Sequence, residues 1–358
     1  MKIGILTDTH YGIRNDAPVF YDYFKKSVDF FITSCQAAGV EYIIHLGDLF
    51  DRRKYINFVT AKRCRKDLLE PLSSNFKEVT ILTGNHDEYY KNTHLVNSLD
   101  ELVTNRYDNV QVITSAQTME WSNKYSLLLI PWITESNYHH TMEEIRNTNA
   151  YVAMGHLEFQ GFQEQKGVLS THGLDPKLFE KFDAVYSGHF HHRHKQGNIE
   201  YIGAFAEYTW ADYNDDRGFC IFDTDTGEMT FIKNPYSMFH MMVYEDEKDK
   251  RILDTIKNMD SSKYANSFVR VIVSNKTNPY AFGVLLEKLE QSQPYDISVV
   301  EDVSAFAENE EGSEIDETED TPTIFNKYID GLTLGIDNDR LKTTMLSLYK
   351  EAITLETI

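Results

Sequence analysis

The chain of 358 residues is poor in cysteine and has no long apolar run. Its three cysteines, Cys35, Cys64 and Cys220, are scattered and odd in number, which excludes a disulfide framework and a paired-cysteine metal knuckle. No stretch of about 18 uncharged apolar residues occurs, so a spanning helix is excluded. The opening MKIGILTDTH carries too short an apolar stretch for a secretory signal and shows no cleavage site. Together these absences predict a reduced, cytoplasmic protein with no membrane partner. Base is also scarce: 35 Lys and Arg stand against 56 Asp and Glu, a formal charge of -21. That balance argues against nucleic acid held by an overall basic surface.

What is present is an ordinary globular composition, 41% hydrophobic and 25% charged, long enough for two or three domains. The charge is uneven. Residues 301–322 hold ten acids and no base, whereas residues 52–66 hold Arg52, Arg53, Lys54, Lys62, Arg63, Arg65 and Lys66 with no acid. The acidic stretch reads as a solvated linker. The basic strip reads either as a track for a DNA backbone, through Arg52, Arg53, Lys54, Lys62, Arg63 and Lys66, or as an ordinary solvated helix face.

Short apolar runs punctuate the first two hundred residues: Lys2–Thr7, Tyr42–Leu46, Val79–Thr83, Val110–Thr114, Leu127–Ile130, Tyr151–Met154, Ala184–Tyr186 and Tyr201–Ala204. Each reads as a buried strand. A helix between the first two is predicted from Phe20, Phe24, Val28, Phe31 and Cys35 at spacings of three and four. Further helices are predicted over 62–72 and 94–103. Alternation of this kind predicts an α/β layered fold with a largely parallel sheet. From Gly218 a strand pair is expected, and after Pro235 a small α+β stretch with FVRVIVS as its clearest strand. The expected domains are 1–235, an accessory cap at 236–300, the acidic linker at 301–322 and a helical segment at 323–358. In that last segment Leu341, Met345, Leu348 and Tyr349 fall on one face, suited to a partner surface.

Five strands end alike, in Asp8-Thr9-His10, Gly47-Asp48, Gly84-Asn85-His86, Gly155-His156 and Gly188-His189-Phe190-His191. Ligands of α/β sheets bind at the carboxyl ends of strands. Residues two apart in extended chain point to the same side, so Asp8 with His10, and His189 with His191, can share an ion. Mixed imidazole and carboxylate donors suit Mn²⁺, Fe²⁺ or Zn²⁺, and seven side chains are too many for one ion. They divide into two sites if one carboxylate bridges, which suits phosphoryl displacement. His86, left over beside Asn85, is placed to act as a general acid. Among the other histidines, His45 reads as buried and hydrogen-bonded, and His192 and His194 as a solvated loop. Asp87 reads equally as a surface turn or as a support for its neighbours.

The motif series resembles that of the calcineurin-like metallophosphoesterases: DxH, GDxxD, GNH, GH and GHxH, in order over residues 8–191. Within that superfamily the phrases KIGILTDTHYG and HLGDLFDRR are similar to the SbcD/Mre-eleven DNA-repair nucleases. The short accessory region and acidic tail look most like the recombination nuclease subunits of T-even-type phages. The resemblance implies a layered metallophosphoesterase fold of mixed β-sheets flanked by helices, with a small α+β cap and a C-terminal helical tail. It implies one metal held by Asp8, His10, Asp48 and His191 and another by Asp48, Asn85, His156 and His189, with His86 catalytic. It further implies two Mn²⁺ ions (Mg²⁺, Fe²⁺ or Zn²⁺ as alternatives), 3′-to-5′ exonuclease action on duplex DNA and endonuclease action on single strands. The implied partners are DNA, a second copy of the chain and an SMC-like ABC ATPase on the C-terminal helices; a likeness to phage proteins places the protein in the host cytoplasm.

One position departs from part of the family. Archaeal and eukaryotic members carry a histidine three residues after the bridging aspartate, where this chain has Asp51. We expect Asp51 to hydrogen-bond His86 and raise its pKa. The motifs are equally compatible with a metallophosphoesterase acting on a phosphoprotein, a nucleotide or a small phosphodiester. They are compatible, too, with an architectural subunit whose chemistry is dormant, although the ligand set is intact.

Overall fold

A computed structural model describes residues 1–301 apart from 123–124, 166–167 and 247–250, together with 329 and 340–344. Residues 1–301 form one compact unit. Two six-stranded mixed sheets make its centre. The first runs in the order Glu228–Lys233, Gly218–Asp223, Lys2–Leu6, Tyr42–His45, Glu78–Leu82, Val110–Ile113. Its last four strands are parallel and its first two form an antiparallel hairpin against them. The second runs His194–Gln196, Ile199–Tyr201, Ala184–Gly188, Val152–His156, Tyr125–Ile130, Gln117–Ser122, with a parallel centre and antiparallel edges.

The sheets pack face to face because their strands are apolar on both sides. Ile3, Ile5, Ile44, Leu46 and Leu82 of one meet Leu127, Leu129, Val152 and Met154 of the other. The alternate residues face outward. Leu6, Ile43, Val79 and Ile81 lie under the helix Pro18–Ala37, which buries Phe20, Phe24, Val28, Phe31 and Cys35 as its spacing predicts. On the far face Leu128, Ile130, Ala153 and Val185 pack with Met142 and Ile145 of the helix Tyr138–Asn147. The arrangement is the expected layered fold of mixed sheets flanked by helices.

Several elements differ from their sequence reading. The helical stretch expected at 62–72 runs as Phe58–Cys64, a π-turn Arg65–Leu69 and Glu70–Asn75. The helix expected at 94–103 is only Ser98–Leu102, because Asn97 is extended and caps it through the Asp100 N–H. The strand expected at 201–204 lies at Ile199–Tyr201 and stops before Gly203, whose φ of +78° breaks the extended run. Among the elements that carried no clear signal are the strand Gln117–Ser122 and the helix Tyr138–Asn147, a mostly polar segment that buries only Thr141, Met142 and Ile145.

A third sheet, Phe239–Glu245, Phe268–Asn275 and Asp296–Glu301, is wholly parallel. The helices Ile252–Asn258 and Pro279–Gln291 accompany it, and Tyr244, Ile256, Val269, Val271, Val273, Leu285 and Leu289 form its own core. Phe20, with its ring 6.2 Å from that of Phe268, and Trp210, 5.0 Å from Phe239, join it to the rest. Glu207 reinforces the joint by accepting the main-chain N–H groups of Met238 and Phe239. Among the described residues no helix is long and apolar enough to cross a membrane. Leu341 lies in a short helical stretch, whereas the acidic stretch from 302 and the face residues Met345, Leu348 and Tyr349 lie outside the described residues.

Candidate metal centre

Three strands of the first sheet and two of the second end at one place. Lys2–Leu6 leads to Asp8 and His10, Tyr42–His45 to Asp48, and Glu78–Leu82 to Asn85 and His86. Val152–His156 ends in His156, and Ala184–Gly188 leads to His189 and His191. All seven expected ligand residues are thereby brought together. Asp8, His10 and His191 form one group, and Asp48, His156 and His189 another.

Asp48 lies between them. Its Oδ2 is 3.7 Å from His10 Nε2 and 3.3 Å from His156 Nε2, while its Oδ1 accepts the His86 N–H at 2.7 Å. Asn85 Oδ1 is 3.0 Å from His156 Nε2 and 2.8 Å from His189 Nδ1. Asp8 Oδ1 is 3.9 Å from His10 Nε2 and 4.0 Å from His191 Nε2. Close approach is secured by glycine. A Cβ on Gly84 would run into Asp48 Oδ1, and one on Gly47, at φ +104°, would lie 2.6 Å from His156 Nδ1.

The backbone here is strained. Asp8, His10, Asp48 and His189 all have positive φ, between 43° and 86°, a region that non-glycine residues enter at a cost of order 1–3 kcal/mol each. Such residues persist only where the surroundings hold them. Asp8 N bonds to Gly47 O, His10 N to Asp48 O, and the buried hydroxyl of Tyr208 donates to Asp8 O.

The donor set fits divalent cations on the tautomers alone. His156 Nδ1 faces the Leu46 carbonyl at 2.8 Å, an acceptor only, so Nδ1 carries the proton. Its Nε2 lone pair then faces two oxygens, of Asn85 and Asp48, an arrangement that repels unless a positive charge sits among them. In the metal-free chain that charge is a proton. Burial opposes it, but Asp48 outweighs burial and lifts the His156 pKa to about 9. His10 points the same way: Nδ1 is buried without a hydrogen-bond partner and Nε2 faces His191 Nε2 at 3.0 Å. Burial drives the His10 pKa well below the ordinary imidazole value, leaving one ring nitrogen with a lone pair for an ion.

His86 sits at the rim, its ring 4.9 Å from that of His10. The expected bond from Asp51 to His86 is present, but the acceptor is the Asp51 main-chain carbonyl, against His86 Nδ1. The Asp51 carboxylate instead lies 3.6 Å from His10 Nδ1. A carbonyl only accepts, so Nδ1 is protonated and Nε2 is the atom that exchanges a proton. Burial works against the His86 imidazolium, but Asp48 and then the Asp51 carbonyl outweigh it and raise the pKa.

The loops behind the cluster correct the reading of two histidines and decide that of Asp87. His192 and His194 are not in a solvated loop. His192 Nδ1 pairs with Asp215 at 2.9 Å, and His194 bridges the His192 carbonyl and the Gln163 N–H. Asp87 is wholly buried and accepts the N–H groups of Gly84, Leu49 and Phe50, tying the loop after Leu82 to the loop after His45. His45 is buried as expected: its Nδ1 accepts the Gly47 N–H, so Nε2 donates to Thr9 Oγ1 at 3.0 Å.

Three residues went unread in the sequence. Tyr208 holds Asp8. Arg217 donates to the His191 carbonyl and pairs with Asp212 and Asp215 at 2.6 and 3.0 Å. Trp132 lies 4.9 Å from the His189 ring. Only Trp132 carried a usable signal, since it follows the strand Tyr125–Ile130 and other strands of this sheet end at the candidate ligands. In the basic strip, Arg52 is bound to Asp16 and to Tyr55, and Arg63 to Asp67 at 3.4 Å. Lys54, Lys62 and Lys66 are exposed, and a buried nitrogen of Arg53 has no partner.

Residues 1–193 match the calcineurin-like phosphoesterase family. Over 345 residues, 95% of both chains, the sequence is 32% identical to exonuclease subunit 1 of Enterobacteria phage T4. Among solved structures, a novel archaeal phosphodiesterase aligns over 65% of this chain and 99% of its own at 17% identity and a TM-score of 0.33. A glutamine-dependent NAD+ synthetase from Acinetobacter baumannii aligns over 98% and 72% at 9% identity and a TM-score of 0.29.

Proposed function

The chain belongs to the calcineurin-like phosphoesterases and is a hydrolytic enzyme, and from that premise we propose that it is a two-metal DNA nuclease. The observation that carries the proposal is the Asp48 carboxylate, set between His10 and His156 with the other donors around it. A relative matched over nearly its whole length is called an exonuclease subunit, which supports DNA as the substrate and a complex as the working form. We assign Asp8, His10, Asp48 and His191 to one ion and Asp48, Asn85, His156 and His189 to the other. The donors suit Mn²⁺, with Mg²⁺, Fe²⁺ and Zn²⁺ as alternatives.

When bound, such an ion pair activates water and neutralises charge on the phosphate oxygens. The chain's own residues do the rest. The tethered ring of His86 presents Nε2 to the departing sugar oxygen and gives it a proton. Asp51 fixes that ring through its carbonyl. Exposed Lys54, Lys62 and Lys66 track the DNA backbone, with Arg53 supplying an unspent donor near His86, where it acts against the imidazolium. The proposed action is 3′-to-5′ on duplex ends and endonucleolytic on single strands.

The proposed assembly is a homodimer bound to an SMC-like ABC ATPase through the C-terminal helical segment, in the host cytoplasm. Support for the dimer comes from exposed apolar side chains on two segments, Phe58 at 93% and Leu95 at 86%, with Val59 and Val96 beside them. A substrate panel tests the function. With Mn²⁺ the purified chain should shorten labelled DNA and turn over bis(4-nitrophenyl) phosphate, with little action on the monoester. Turnover of the nitrophenyl esters with no loss of DNA would assign it to a phosphoprotein, nucleotide or small phosphodiester.

A further inference from the structure

Beside the metal centre is a slot that phosphate chemistry leaves unused. It is a cavity of about 190 Å³ lined by Trp132, Ile133, Tyr138, Leu157 and Leu174, and it reaches the metal-site residue His156. The strand end after Tyr125–Ile130 supplies Trp132, whose main-chain N–H is held by the Thr83 carbonyl at 2.8 Å and whose carbonyl accepts from Asn137 at 3.1 Å. The Trp132 backbone is thus tied to the loop that carries Asn85 and His86, and the residue stands partly exposed. Tyr138, the first residue of its helix, is 43% exposed. The opposite wall is built by the pairing of Phe159 with Leu174, which needs Gly173: at φ +104° its Cβ would lie 2.5 Å from the Glu158 carbonyl.

The lining decides what can enter. It holds no lysine or arginine, and apart from the metal-site His156 its only ionisable groups are the Glu158 carboxyl and the Tyr138 phenol. A phosphate would be repelled there. A flat, uncharged ring is accepted, because an aromatic face and aliphatic walls offer dispersion and stacking without requiring charge. The substrate class proposed above carries such a ring on every sugar. We infer that the Trp132–Tyr138–Leu174 slot receives the nucleobase of the nucleotide being cut and stacks it on the Trp132 indole. This rests on the nuclease reading. Stacking of this kind is tolerant of sequence, since every base has a π face, and a paired base must leave its partner to enter. The slot therefore makes the enzyme a reader of unpaired bases at the cut.

Abasic substitution tests the slot. Single-stranded oligonucleotides carry one tetrahydrofuran residue, phosphates intact, stepped through the terminal positions of each end, and kcat/KM for each cut is compared with the unmodified strand. Removal of the base at the cut nucleotide should lower kcat/KM by roughly tenfold or more in the parent chain, the loss that one stacked base supports. Trp132→Ala should cut intact and abasic strands at the same reduced rate, and Trp132→Phe should recover most of the difference. In EDTA, oligothymidylate should quench tryptophan fluorescence of the parent but much less that of Trp132→Phe, whereas a fully abasic strand of the same length should quench neither. Parent cleavage of abasic and intact positions within about twofold overturns the slot while leaving the nuclease reading in place. No cleavage of any strand, in a chain that hydrolyses nitrophenyl esters, overturns the nuclease reading and the slot with it.

Discussion

Tyr208 shows how a residue without chemistry of its own supports the centre. Its buried hydroxyl donates to the carbonyl of Asp8, a residue held at positive φ, and its ring stands 5.5 Å from both His10 and His191. Tyr208→Phe keeps the ring and strands a buried carbonyl, so it should cost about 1–3 kcal/mol of stability. Denaturant unfolding of the metal-free chain reads this directly; an unchanged midpoint would contradict the role. This tyrosine was invisible in the sequence because its partner lies 200 residues away. The clustering of the candidate ligand residues was legible for the opposite reason. Each stands next to glycine or two residues from another ligand at a strand end, so local spacing records a common direction. Asp51 was read halfway: its link to His86 exists, but the main chain makes it, and main-chain carbonyls leave no mark in a sequence.

Asp246 plays the corresponding part for a whole element. At the end of the strand Phe239–Glu245 it accepts the N–H groups of Thr277 and Asn278 and the hydroxyls of Thr277 and Tyr244, and so anchors the turn into the helix Pro279–Gln291. Desolvation alone would raise its pKa, but these four donors outweigh it and hold the carboxyl at about 2, below the ordinary 3.8. The folded pKa is depressed, so the stabilisation is present above pH 3.8 and is lost as pH falls toward 2. Asp246→Asn should therefore lower the unfolding midpoint at pH 7 and make little difference near pH 2, as followed by circular dichroism. Equal destabilisation at both pH values would show that shape rather than charge matters there. Elements with strong apolar periodicity, such as Pro18–Ala37 and Phe268–Asn275, were plain from sequence. The helix Tyr138–Asn147 was not, since only one short side of it is buried.

For the whole molecule, the charge of -21 and the exposed Phe58 and Leu95 point outward to association. In the proposed dimer, two copies of the lysine strip would add DNA affinity to a chain this acidic, because each neutralised phosphate releases counterions. Phe58→Glu should convert a sedimenting dimer to a monomer while leaving turnover of nitrophenyl esters intact. A parent chain that sediments as a monomer at micromolar concentration would refute the dimer.

The proton assigned to His86 Nε2 gives the account its sharpest exposure. A departing sugar oxygen needs that proton, whereas nitrophenolate leaves without it. With Mn²⁺ present, kcat/KM for end-labelled duplex DNA and for bis(4-nitrophenyl) phosphate should be measured for the parent and for His86→Gln. We expect cleavage of both substrates by the parent, a loss of roughly 10²–10⁴-fold on DNA in the variant, and only a small loss on the nitrophenyl diester. Equal losses on the two substrates, or DNA cleavage by the variant at the parental rate, would contradict it.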